Sequence, residues 1–470
     1  MQRTAADAPN VRVREMGRRH LFFILTRLSC DEVLLVDTDE GLTLPTYDAH
    51  VPENVGFADL APFNDWFAER YGIDVFRRYA LDLPGTDSAF FVLETRVNEP
   101  LISEKTLWVK LNELGTALLA PPHCRAFLET WFTDPHASVT MPWSRPGGYQ
   151  LPLAWMCERF EEHAIHATGK PKQVKNTYVS TVLRCPTDAG DIYLKIPSPI
   201  FVREVQVMEE LTRWNIAELP RMLAVSSEPS LILMKDMGGC DLTNCCTFDR
   251  LEAVARAFGR LQLAAINFVN SGIPQTFYDC RIAVLMRAID DVLDEAGSLL
   301  DGSPHQLAEE EISRIRCQLP MWKELCAEIQ EAALPDTIDH GDLRPGNIRV
   351  VGDRIIFYDW AWSAITHPFM GITGFLHLIQ NSLSNPEKDT HLLRDAYLEA
   401  WRGYASDSAL RHTFELAGRV KTLYGVVVDA EWLRAINAGL RGNVPKATSA
   451  DAWTLRWRQF YFSKMVRRLL

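Results

Sequence analysis

The chain has 470 residues, a formal net charge of −12 and a hydrophobic content of 47%, values typical of a globular protein with ample material for a core. This length predicts about two or three domains. Because nucleic-acid binding needs a basic surface, the acidic balance argues against nucleic acid as a general partner.

Cysteine usage and apolar runs restrict the class of protein further. The ten cysteines are scattered and form no CxxC pair, so the sequence predicts neither a zinc site nor a small disulfide-rich scaffold. We therefore expect reduced thiols and a cytoplasmic protein. Residues 1–18 are polar and predict a disordered lead-in without the apolar segment of a signal peptide. No run of about eighteen apolar residues occurs, so no membrane partner is expected. The sequence leaves the oligomeric state open.

Residues 19–134 show a mixture of strand and helix patterns. Apolar runs at 20–26, 32–36, 74–79 and 89–95 predict strands. Residues 58–71 have apolar residues at helical spacing and end at Gly72, which predicts a helix with a glycine C-cap. Further helices are predicted at 106–119 and 123–132. The segment is therefore a separate α/β/α unit.

The layout of residues 19–134 resembles a Nudix domain. The opening strands, the Leu-Pro loop, the helix ending in Tyr71-Gly72-Ile73 and the late tryptophan-bearing helix carry the resemblance. The Nudix family places several metal-binding glutamates along this helix, whereas only Glu69 stands there in this chain. The resemblance thus implies a degenerate Nudix-like domain without hydrolase chemistry. An unrelated α+β domain is the alternative.

Residues 135–172 are rich in proline and glycine at first and predict a linker or docking segment. Residues 173–237 then contain apolar strands at 178–184, 191–196 and 231–234. Lys195 ends the second of these strands, and Glu204 lies in the helix that follows. Residues 174–181, which lead into the first of these strands, contain no glycine, so they cannot form a glycine-rich loop of the kind that covers phosphates.

Residues 238–470 are predominantly helical. Apolar spacing predicts helices at 251–268, 281–300, 309–333, 374–383, 391–404, 410–430 and 452–470, with Asp249 as the N-cap of the first. Four acids in the later helices are candidates for an acceptor pocket, and nothing in the spacing favours one of them: Glu399, Glu415, Asp429 and Glu431.

Residues 338–359 carry the polar groups that phosphoryl transfer requires. Asp342 is followed five residues later by Asn347, and Asp359 comes after two short apolar segments. Phosphoryl transfer from a nucleotide needs a carboxylate at the acceptor hydroxyl, and an amide and a second carboxylate for magnesium. These three residues are of the required types.

The segment between Asn347 and Asp359 predicts a β-hairpin. Gly352-Asp353 is a two-residue turn signal between the two apolar runs. Counting outward from this turn, Asn347 falls opposite Tyr358 and therefore next to Asp359. The hairpin is expected to bring all three polar groups to one end of a sheet.

The motifs His340-Gly-Asp342-Leu-Arg344-Pro-Gly-Asn347 and Phe357-Tyr-Asp359-Trp360 resemble those of the aminoglycoside phosphotransferase and choline kinase superfamily. The resemblance implies a bilobal protein-kinase-like phosphotransferase, with an N-lobe at 173–237 and a C-lobe at 238–470, following the Nudix-like domain in an α+β chain. It further implies that ATP and Mg²⁺ are the cofactors. The acid often found soon after His367-Pro-Phe is absent, because Met370-Gly371 stands there.

The same resemblance assigns site roles one residue at a time. Asp342 is the catalytic base. Arg344 stands two residues later, so in an extended loop its side chain points to the same side, and it is expected to help neutralise the transferring phosphoryl group; the alternative is that it pairs with a nearby acid such as Asp339 or Asp353. Asn347 and Asp359 are the metal ligands. Nucleotide binding is carried by the strand lysine with its helix glutamate, and by the segment between the lobes: Lys195, Glu204, Met234, Asp236 and Met237.

Three functional hypotheses follow. The first is an ATP- and magnesium-dependent kinase that phosphorylates a hydroxyl group of a small-molecule alcohol. The second is a non-catalytic nucleotide-binding pseudokinase or scaffold, favoured by the missing glycine-rich loop and the degenerate first domain. The third is a kinase acting on protein or on sugar-modified lysine. The sequence leaves the acceptor open, and also the choice between ATP and GTP.

Overall fold

The computed structural model of this protein describes most of the chain. The described residues are 16–27, 32–52, 60–82, 86–95, 105–110, 113, 118–119, 141–177, 179–272, 274–443 and 449–470, of which 16, 52, 82, 118–119, 438–443 and 449–457 are described by their backbone alone. The predicted lead-in at 1–18 falls outside this range except for its last residues, where the first strand has already begun at Met16.

An eight-stranded mixed sheet forms the N-terminal part of the chain. Its central strands β1 and β6 are parallel, and the other pairs along β1 are antiparallel. Helix α1 packs its aromatic side chains Phe63 and Phe67 on one face of the sheet. The elements are β1 Met16–Thr26, β2 Glu32–Thr38, β3 Gly41–Thr43, β4 Thr46–Pro52, α1 Ala61–Tyr71, β5 Val75–Asp82, β6 Ser88–Thr95, β7 Thr106–Lys110 and β8 Leu118–Leu119.

The helix predicted at 106–119 is wrong. Thr106–Lys110 forms strand β7, which pairs with β2 so that Trp108 lies opposite Leu34. β-Branched and aromatic side chains favour the extended form when a partner edge is present, and here β2 provides that edge. The helix predicted at 123–132 lies outside the described residues.

The segment predicted as a linker or docking segment packs against both sheets. After a short 3-10 turn at Pro142–Ser144, helix α2 spans Gln150–Glu162. Trp143, Tyr149 and Met156 share one core with Phe76 of β5 and with Leu183 of the following sheet. Burial of these large side chains joins the two halves of the chain.

A five-stranded antiparallel sheet in the order β12-β13-β11-β10-β9 follows. Helix α3 packs against it through apolar residues at helical spacing, including Val205, Met208 and Leu211. The elements are β9 Lys172–Asn176, β10 Ser180–Thr187, β11 Gly190–Pro197, α3 Val202–Trp214, β12 Met222–Ser227 and β13 Ser230–Lys235.

The remainder is helical, with two small three-stranded sheets, β14-β17-β18 and β15-β19-β16. The predicted helices are present with shifted ends, and the N-cap of α4 is Thr247 instead of Asp249 because the Thr247 hydroxyl accepts the Arg250 amide. The elements are β14 Cys240–Asp241, α4 Phe248–Asn270, β15 Tyr278–Asp279, α5 Ile282–Leu299, α6 Glu309–Glu331, β16 Thr337–Asp339, β17 Ile348–Val351, β18 Arg354–Phe357, β19 Ala364–Thr366, α7 Phe369–Ile379, α8 Pro386–Leu398, α9 Asp407–Asn443 and α10 Ser449–Arg467.

The predicted mixed α+β class is confirmed, since sheets dominate before residue 236 and helices after it. Among the helices in the described residues, none combines the length and the apolar content needed to cross a bilayer.

Candidate active site

The β17–β18 hairpin has the register that the sequence predicted. Val351 pairs with Arg354 at the turn. At the open end, the Tyr358 amide donates to the Asn347 carbonyl at 3.0 Å. Asn347 and Asp359 therefore start from adjacent backbone positions, as the turn signal required.

The loop after β16 makes a close approach that only glycine permits. Gly341 has a φ of 74°, and a Cβ there would lie 2.0 Å from the Trp362 carbonyl oxygen. The buried ring of His340 fixes both sides of this loop. Its Nε2 lies 3.0 Å from the Tyr358 carbonyl, and its Nδ1 lies 3.4 Å from the Asp342 amide. With Nε2 as the donor, the ring ties the Asp342 loop to the Asp359 segment.

Asp342 is held by two neighbours of its own loop. Its Oδ2 accepts from Arg344 Nε at 3.1 Å and from Asn347 Nδ2 at 2.9 Å. Asn347 also donates to the Asp342 carbonyl at 2.9 Å. The Asp342 side chain remains 37% exposed, and its other oxygen has no hydrogen bond to the described residues. The carboxylate is thus oriented and still open to a ligand.

Lys195, Glu204 and Asp359 form one buried ionic network, although Lys195 and Asp359 are 164 residues apart in sequence. Lys195 Nζ contacts Glu204 Oε1 and lies 2.9 Å from Asp359 Oδ1. Burial by itself lowers the pKa of Lys195, but the Asp359 and Glu204 carboxylates outweigh burial and raise it. Lysine therefore stays an ammonium that links the five-stranded sheet to the loop after the hairpin.

The two carboxylates of this network respond differently to burial. Burial raises the pKa of Glu204 despite its contact with Lys195. Burial acts in the same direction on Asp359, but Lys195 and Lys175 hold the pKa of Asp359 below its usual value. Of the two carboxylates, Asp359 therefore stays ionised down to a lower pH than Glu204.

Asn347 and Asp359 fit a hard cation such as Mg²⁺. With the Asn347 nitrogen turned to Asp342, its amide oxygen is the atom left for a ligand. Asp359 keeps Oδ2 free of protein hydrogen bonds among the described residues, and its φ of 69° is a rare non-glycine conformation that concentrates at functional sites. The described residues hold no cluster of three or more His, Cys, Asp or Glu that could bind a metal ion. Mg²⁺ needs no such cluster, because it is usually held by one or two protein oxygens with substrate phosphates and water.

Lys175 is a candidate site residue that the sequence reasoning missed. It lies on β9, in the place of the absent glycine-rich loop, and its charge acts on Asp359. The protein atoms around its ammonium lower the pKa of Lys175, and Asp359 partly offsets this effect. Lys195 and Arg344 are also close enough to affect its pKa. The sequence signal that could have found Lys175 was its position within residues 174–181, the segment that takes the place of a glycine-rich loop.

The turn that replaces the glycine-rich loop is short and internally bonded. The Thr177 hydroxyl donates to the Ser180 carbonyl at 3.2 Å and accepts the Val179 amide at 3.3 Å. Val179 packs against a cluster formed by Phe201, Ala361, Trp432 and Ile436. The five-stranded sheet therefore contacts the residues after Asp359 through this turn.

The three residues predicted to meet the nucleotide base lie at the junction of the two parts. Met234 is on β13, opposite Tyr193 of β11. The Asp236 amide donates to the Asp191 carbonyl, and its carboxylate accepts the Gly238 amide at 3.2 Å. Met237 follows directly. Their placement is that of a connecting segment, and their role in binding stays a prediction.

The expectation of reduced thiols throughout is wrong at one position. Cys240 and Cys245 form a disulfide just after this connecting segment. The neighbouring Cys246 is a free, exposed thiol. The paired cysteines are five positions apart, with four residues between them, and their spacing alone did not indicate the turn that brings them together.

Buried polar side chains brace the Asp342 loop from behind. Gln262 donates from Nε2 to the carbonyls of Ile338 and Pro368, and its Oε1 accepts the Tyr397 hydroxyl at 2.6 Å. Asp339 accepts the Tyr424 hydroxyl at 2.6 Å. A Cβ at Gly371 would lie 1.7 Å from the Asp339 carboxylate, so glycine leaves room for that carboxylate. The chain lacks the acid expected after His367-Pro-Phe, and the carboxylate of Asp339, which precedes the Asp342 loop, lies beside Gly371 instead.

Of the four candidate acceptor-pocket acids, Asp429 lies near the Asp342 loop. Burial is the main cause that raises the pKa of Asp429, and the ion pair with Arg458 opposes this rise. The charge of Asp342 raises the pKa further, so the two carboxylates are close enough to interact. Glu399 pairs instead with Arg256. Glu415 is 68% exposed, with a distant contact to Arg394.

No protein-family model matches this sequence, and no curated protein matches it by sequence. Solved structures do resemble this chain. A choline kinase from Cryptosporidium parvum Iowa II is 16% identical, with a TM-score of 0.44 over 66% of this chain and 90% of that chain. A macrolide 2'-phosphotransferase from Brachybacterium faecium is 15% identical, with a TM-score of 0.42 over 66% of this chain and 98% of that chain.

A choline/ethanolamine kinase family protein from Mesorhizobium loti is 17% identical, with a TM-score of 0.40 over 64% of this chain and 93% of that chain. At such identities and TM-scores these likenesses carry no argument about activity. The functional argument rests on the side-chain geometry of this chain.

Proposed function

We propose that this protein is an ATP- and magnesium-dependent phosphotransferase of the aminoglycoside phosphotransferase and choline kinase type, which transfers the γ-phosphate to a hydroxyl group of a small-molecule acceptor. The observation that carries the proposal is the contact of Lys195 with both Glu204 and Asp359, beside the loop in which Arg344 and Asn347 orient Asp342. Phosphoryl transfer depends on positioning and charge stabilisation, and this arrangement supplies both.

Each polar group has a role in this reaction. Asp342 accepts the proton of the acceptor hydroxyl. The oxygen of that hydroxyl bonds to the γ-phosphorus while the bond between this phosphorus and the ADP oxygen breaks. Lys195 binds the α- and β-phosphates, and Glu204 holds it in place. Arg344 and Lys175 add positive charge where the transferring group passes, replacing backbone donors of the absent glycine-rich loop. Asn347 and Asp359 would hold the magnesium ion, which when bound neutralises phosphate charge.

The decisive experiment is a screen of alcohol acceptors with γ-labelled ATP and Mg²⁺, beside a reaction without acceptor. We expect acceptor-dependent phosphate transfer by the full-length protein and none by Asp359→Asn, which should also bind the magnesium–nucleotide complex more weakly in calorimetry. Turnover of Asp359→Asn at the wild-type rate would remove the metal assignment. The same assay with γ-labelled GTP in place of ATP tests which nucleotide the protein uses as the phosphate donor.

A nucleotide-binding pseudokinase is the second candidate. The turn at Thr177 is closed by its own hydrogen bonds and packs through Val179 on the Trp432 cluster, which favours a cleft that binds a nucleotide without turning it over. This candidate predicts saturable nucleotide binding with no transfer to any acceptor. Transfer that Asp342→Asn abolishes would exclude it.

For the N-terminal part we propose a Nudix-like domain without hydrolase activity. The mixed sheet with a helix ending at Gly72 supports the layout, and Glu69 stands exposed on that helix without a second glutamate. One carboxylate gives too few ligands for a metal-bound pyrophosphate. Magnesium-dependent pyrophosphatase activity of the full chain that persists in Asp359→Asn would contradict this assignment. The cytoplasmic location remains a proposal as well.

A further inference from the structure

A cavity of about 460 Å³ lies away from the proposed catalytic loop. It is bounded by the start of α5, the end of α6 and the segment that enters α7. Its polar wall residues are Arg281, Arg287, Gln330, Asp336 and His367. This volume is within the range of small-molecule binding sites in proteins.

The first turn of α5 presents unpaired backbone donors to the cavity. The helix spans 18 residues, and its N-cap, Arg281, has no side-chain capping bond. The amides of Val284 and Leu285 donate to the Arg281 carbonyl, whereas those of Ile282 and Ala283 have no acceptor among the described residues. The first turn of a helix attracts an anion through such amides and through its dipole.

His367 provides an independent observation on the opposite wall. It is 3% exposed and lines the cavity, and its Nε2 has no hydrogen-bond partner in the described part of the chain. Its Nδ1 accepts the Phe369 amide at 3.3 Å. Burial lowers the pKa of His367 to about 3, so the neutral ring carries its proton on Nε2. A buried N–H donor without an acceptor is costly, and a ligand oxygen would satisfy it.

Arginine charges complete the donor set. Arg281 engages Asp279 through Nε and Nη2 at 2.9 and 2.8 Å, which neutralises that pair. Arg287, one turn into α5, is exposed and forms no ion pair with any described residue. Asp336 is the acid of the wall, and burial raises its pKa while Arg281 lowers it. Arg287 also acts on Asp279 through its charge, and it is the arginine of this wall whose guanidinium remains available to a ligand.

Strand pairing separates the cavity from the proposed active site. Thr337 of β16 pairs with Thr366 of β19, and Asp339 pairs with Ala364. Asp336 and His367 therefore extend from one end of these strands, whereas the Asp342 loop extends from the other. A ligand in the cavity could not touch Asp342.

We propose that this cavity binds a small oxyanion, a carboxylate or a phosphate, between the first turn of α5, Arg287 and the Nε2–H of His367. The Ile282 and Ala283 amides, the arginine and the imidazole all donate, so the anionic end of the ligand accepts from three directions. The remaining volume accommodates a body larger than the anionic group itself.

Calorimetric titration of the full-length protein with inorganic phosphate, pyrophosphate and citrate tests this. We expect one of these anions to bind at this cavity, and Arg287→Gln to weaken that binding roughly 10–100-fold, the effect of losing one charged hydrogen bond. Arg314→Gln, which removes an exposed arginine of α6 outside the cavity, is the matched control and should bind like the wild type. Phosphate and citrate arms separate the two anion chemistries.

The variant Arg344→Gln distinguishes binding in this cavity from binding in the proposed nucleotide cleft. It should leave the affinity of the cavity for the anion unchanged. A loss of anion affinity in Arg344→Gln with no loss in Arg287→Gln would locate the anion in the cleft and overturn the proposal. Equal losses in Arg287→Gln and Arg314→Gln would indicate general charge attraction and overturn it too. So would the absence of binding to the wild type at millimolar concentrations of all three anions.

Discussion

Asp342 carries the proton transfer in the proposed reaction, and its surroundings make that role testable. Its carboxylate is 37% exposed and is oriented by Arg344 and Asn347. Asp342→Asn keeps an oxygen for these donors and removes the base. We expect turnover to fall roughly 10²–10⁴-fold with an unchanged melting temperature, measured by the labelled-ATP assay and by calorimetry. A collapse in stability would make Asp342 a structural residue instead.

Arg344 was expected to act on the phosphoryl group or to pair with Asp339 or Asp353, and the structure pairs it with Asp342. A pairing with a nearby acid is therefore present, but the partner is Asp342 and neither Asp339 nor Asp353. The Arg344 side chain is 53% exposed, so its loss should leave the melting temperature nearly unchanged. We expect Arg344→Ala to lower kcat about 10²–10³-fold, the scale of one charge-stabilising donor. Full kcat and an unchanged KM for ATP would exclude the phosphate role.

His367 makes the stability of the protein depend on pH. Its folded-state pKa is about 3, whereas an unfolded histidine titrates near pH ~6.5. At a pH above the unfolded-state pKa, His367 is neutral in both the folded and the unfolded state, and its full contribution to the free energy of unfolding is present. As the pH falls below it, only the unfolded chain takes up the proton, so the free energy of unfolding decreases until the folded pKa is reached.

Urea unfolding near pH 7 and pH 5 measures this effect, which should amount to about 2 kcal/mol between the two values. His367→Gln should remove that share of the pH dependence, whatever its effect on stability at neutral pH. His391→Gln, at an exposed position on α8, is the matched control. An unchanged pH slope in His367→Gln would contradict the assignment.

Among the elements, the segment that joins the two parts of the candidate site is constrained by the Cys240–Cys245 disulfide. The closed loop is short, because the two positions differ by 5 in sequence. Loop-closure entropy for so short a loop predicts that Cys245→Ser lowers the free energy of unfolding by roughly 2 kcal/mol.

Chemical denaturation under non-reducing conditions checks the disulfide prediction. Cys246→Ser changes the adjacent free thiol and should have little effect, which makes it the matched control. Added reductant should lower the stability of the wild type to that of Cys245→Ser. Equal stabilities of the two serine variants without reductant would mean that the bond contributes nothing.

The candidate site is formed by elements that meet only in the folded chain. Lys195 is on β11, Glu204 on α3 and Asp359 after β18. Arg203, next to Glu204, stacks on Tyr278 at 3.2 Å from the ring centroid and donates to the Ser363 carbonyl. Helix α3 is therefore attached to the helical part by Arg203 and to the five-stranded sheet through Glu204 and Lys195. This double attachment holds the lysine and Asp359 in register.

At the scale of the whole molecule, Tyr149 joins the two large sheets. Its buried hydroxyl donates to the Arg77 carbonyl at 2.9 Å and accepts from Gln173 Nε2 and Asn176 Nδ2 at 2.5 and 3.0 Å. Tyr149→Phe leaves these buried groups short of a partner and should lower the free energy of unfolding by about 1–3 kcal/mol. The N-terminal sheet and the rest should still unfold in one transition.

Tyr404→Phe provides the control for this prediction, because Tyr404 is 49% exposed. Denaturation followed by both tryptophan fluorescence and far-UV circular dichroism reports the number of transitions. Two separate transitions, with only one shifted by Tyr149→Phe, would mean that the sheets are independent.

The sequence by itself determined the features that depend on neighbours along the chain. Gly352-Asp353 set the hairpin register and so the adjacency of Asn347 and Asp359. Apolar periodicity gave the helices, with ends uncertain by several residues because caps such as Thr247 depend on local hydrogen bonds. Turn chemistry and periodicity are local properties, which is why they could be derived without the fold.

The tertiary structure decided everything that depends on distant segments. Thr106–Lys110 became a strand because β2 offered an edge, and the charge of Lys175 acts on Asp359 because folding brings these distant residues near each other. The cavity at His367 likewise depends on helices and a strand end that are brought together by folding. Side chains far apart in sequence meet only when the hydrophobic core closes, and no local pattern encodes that closure.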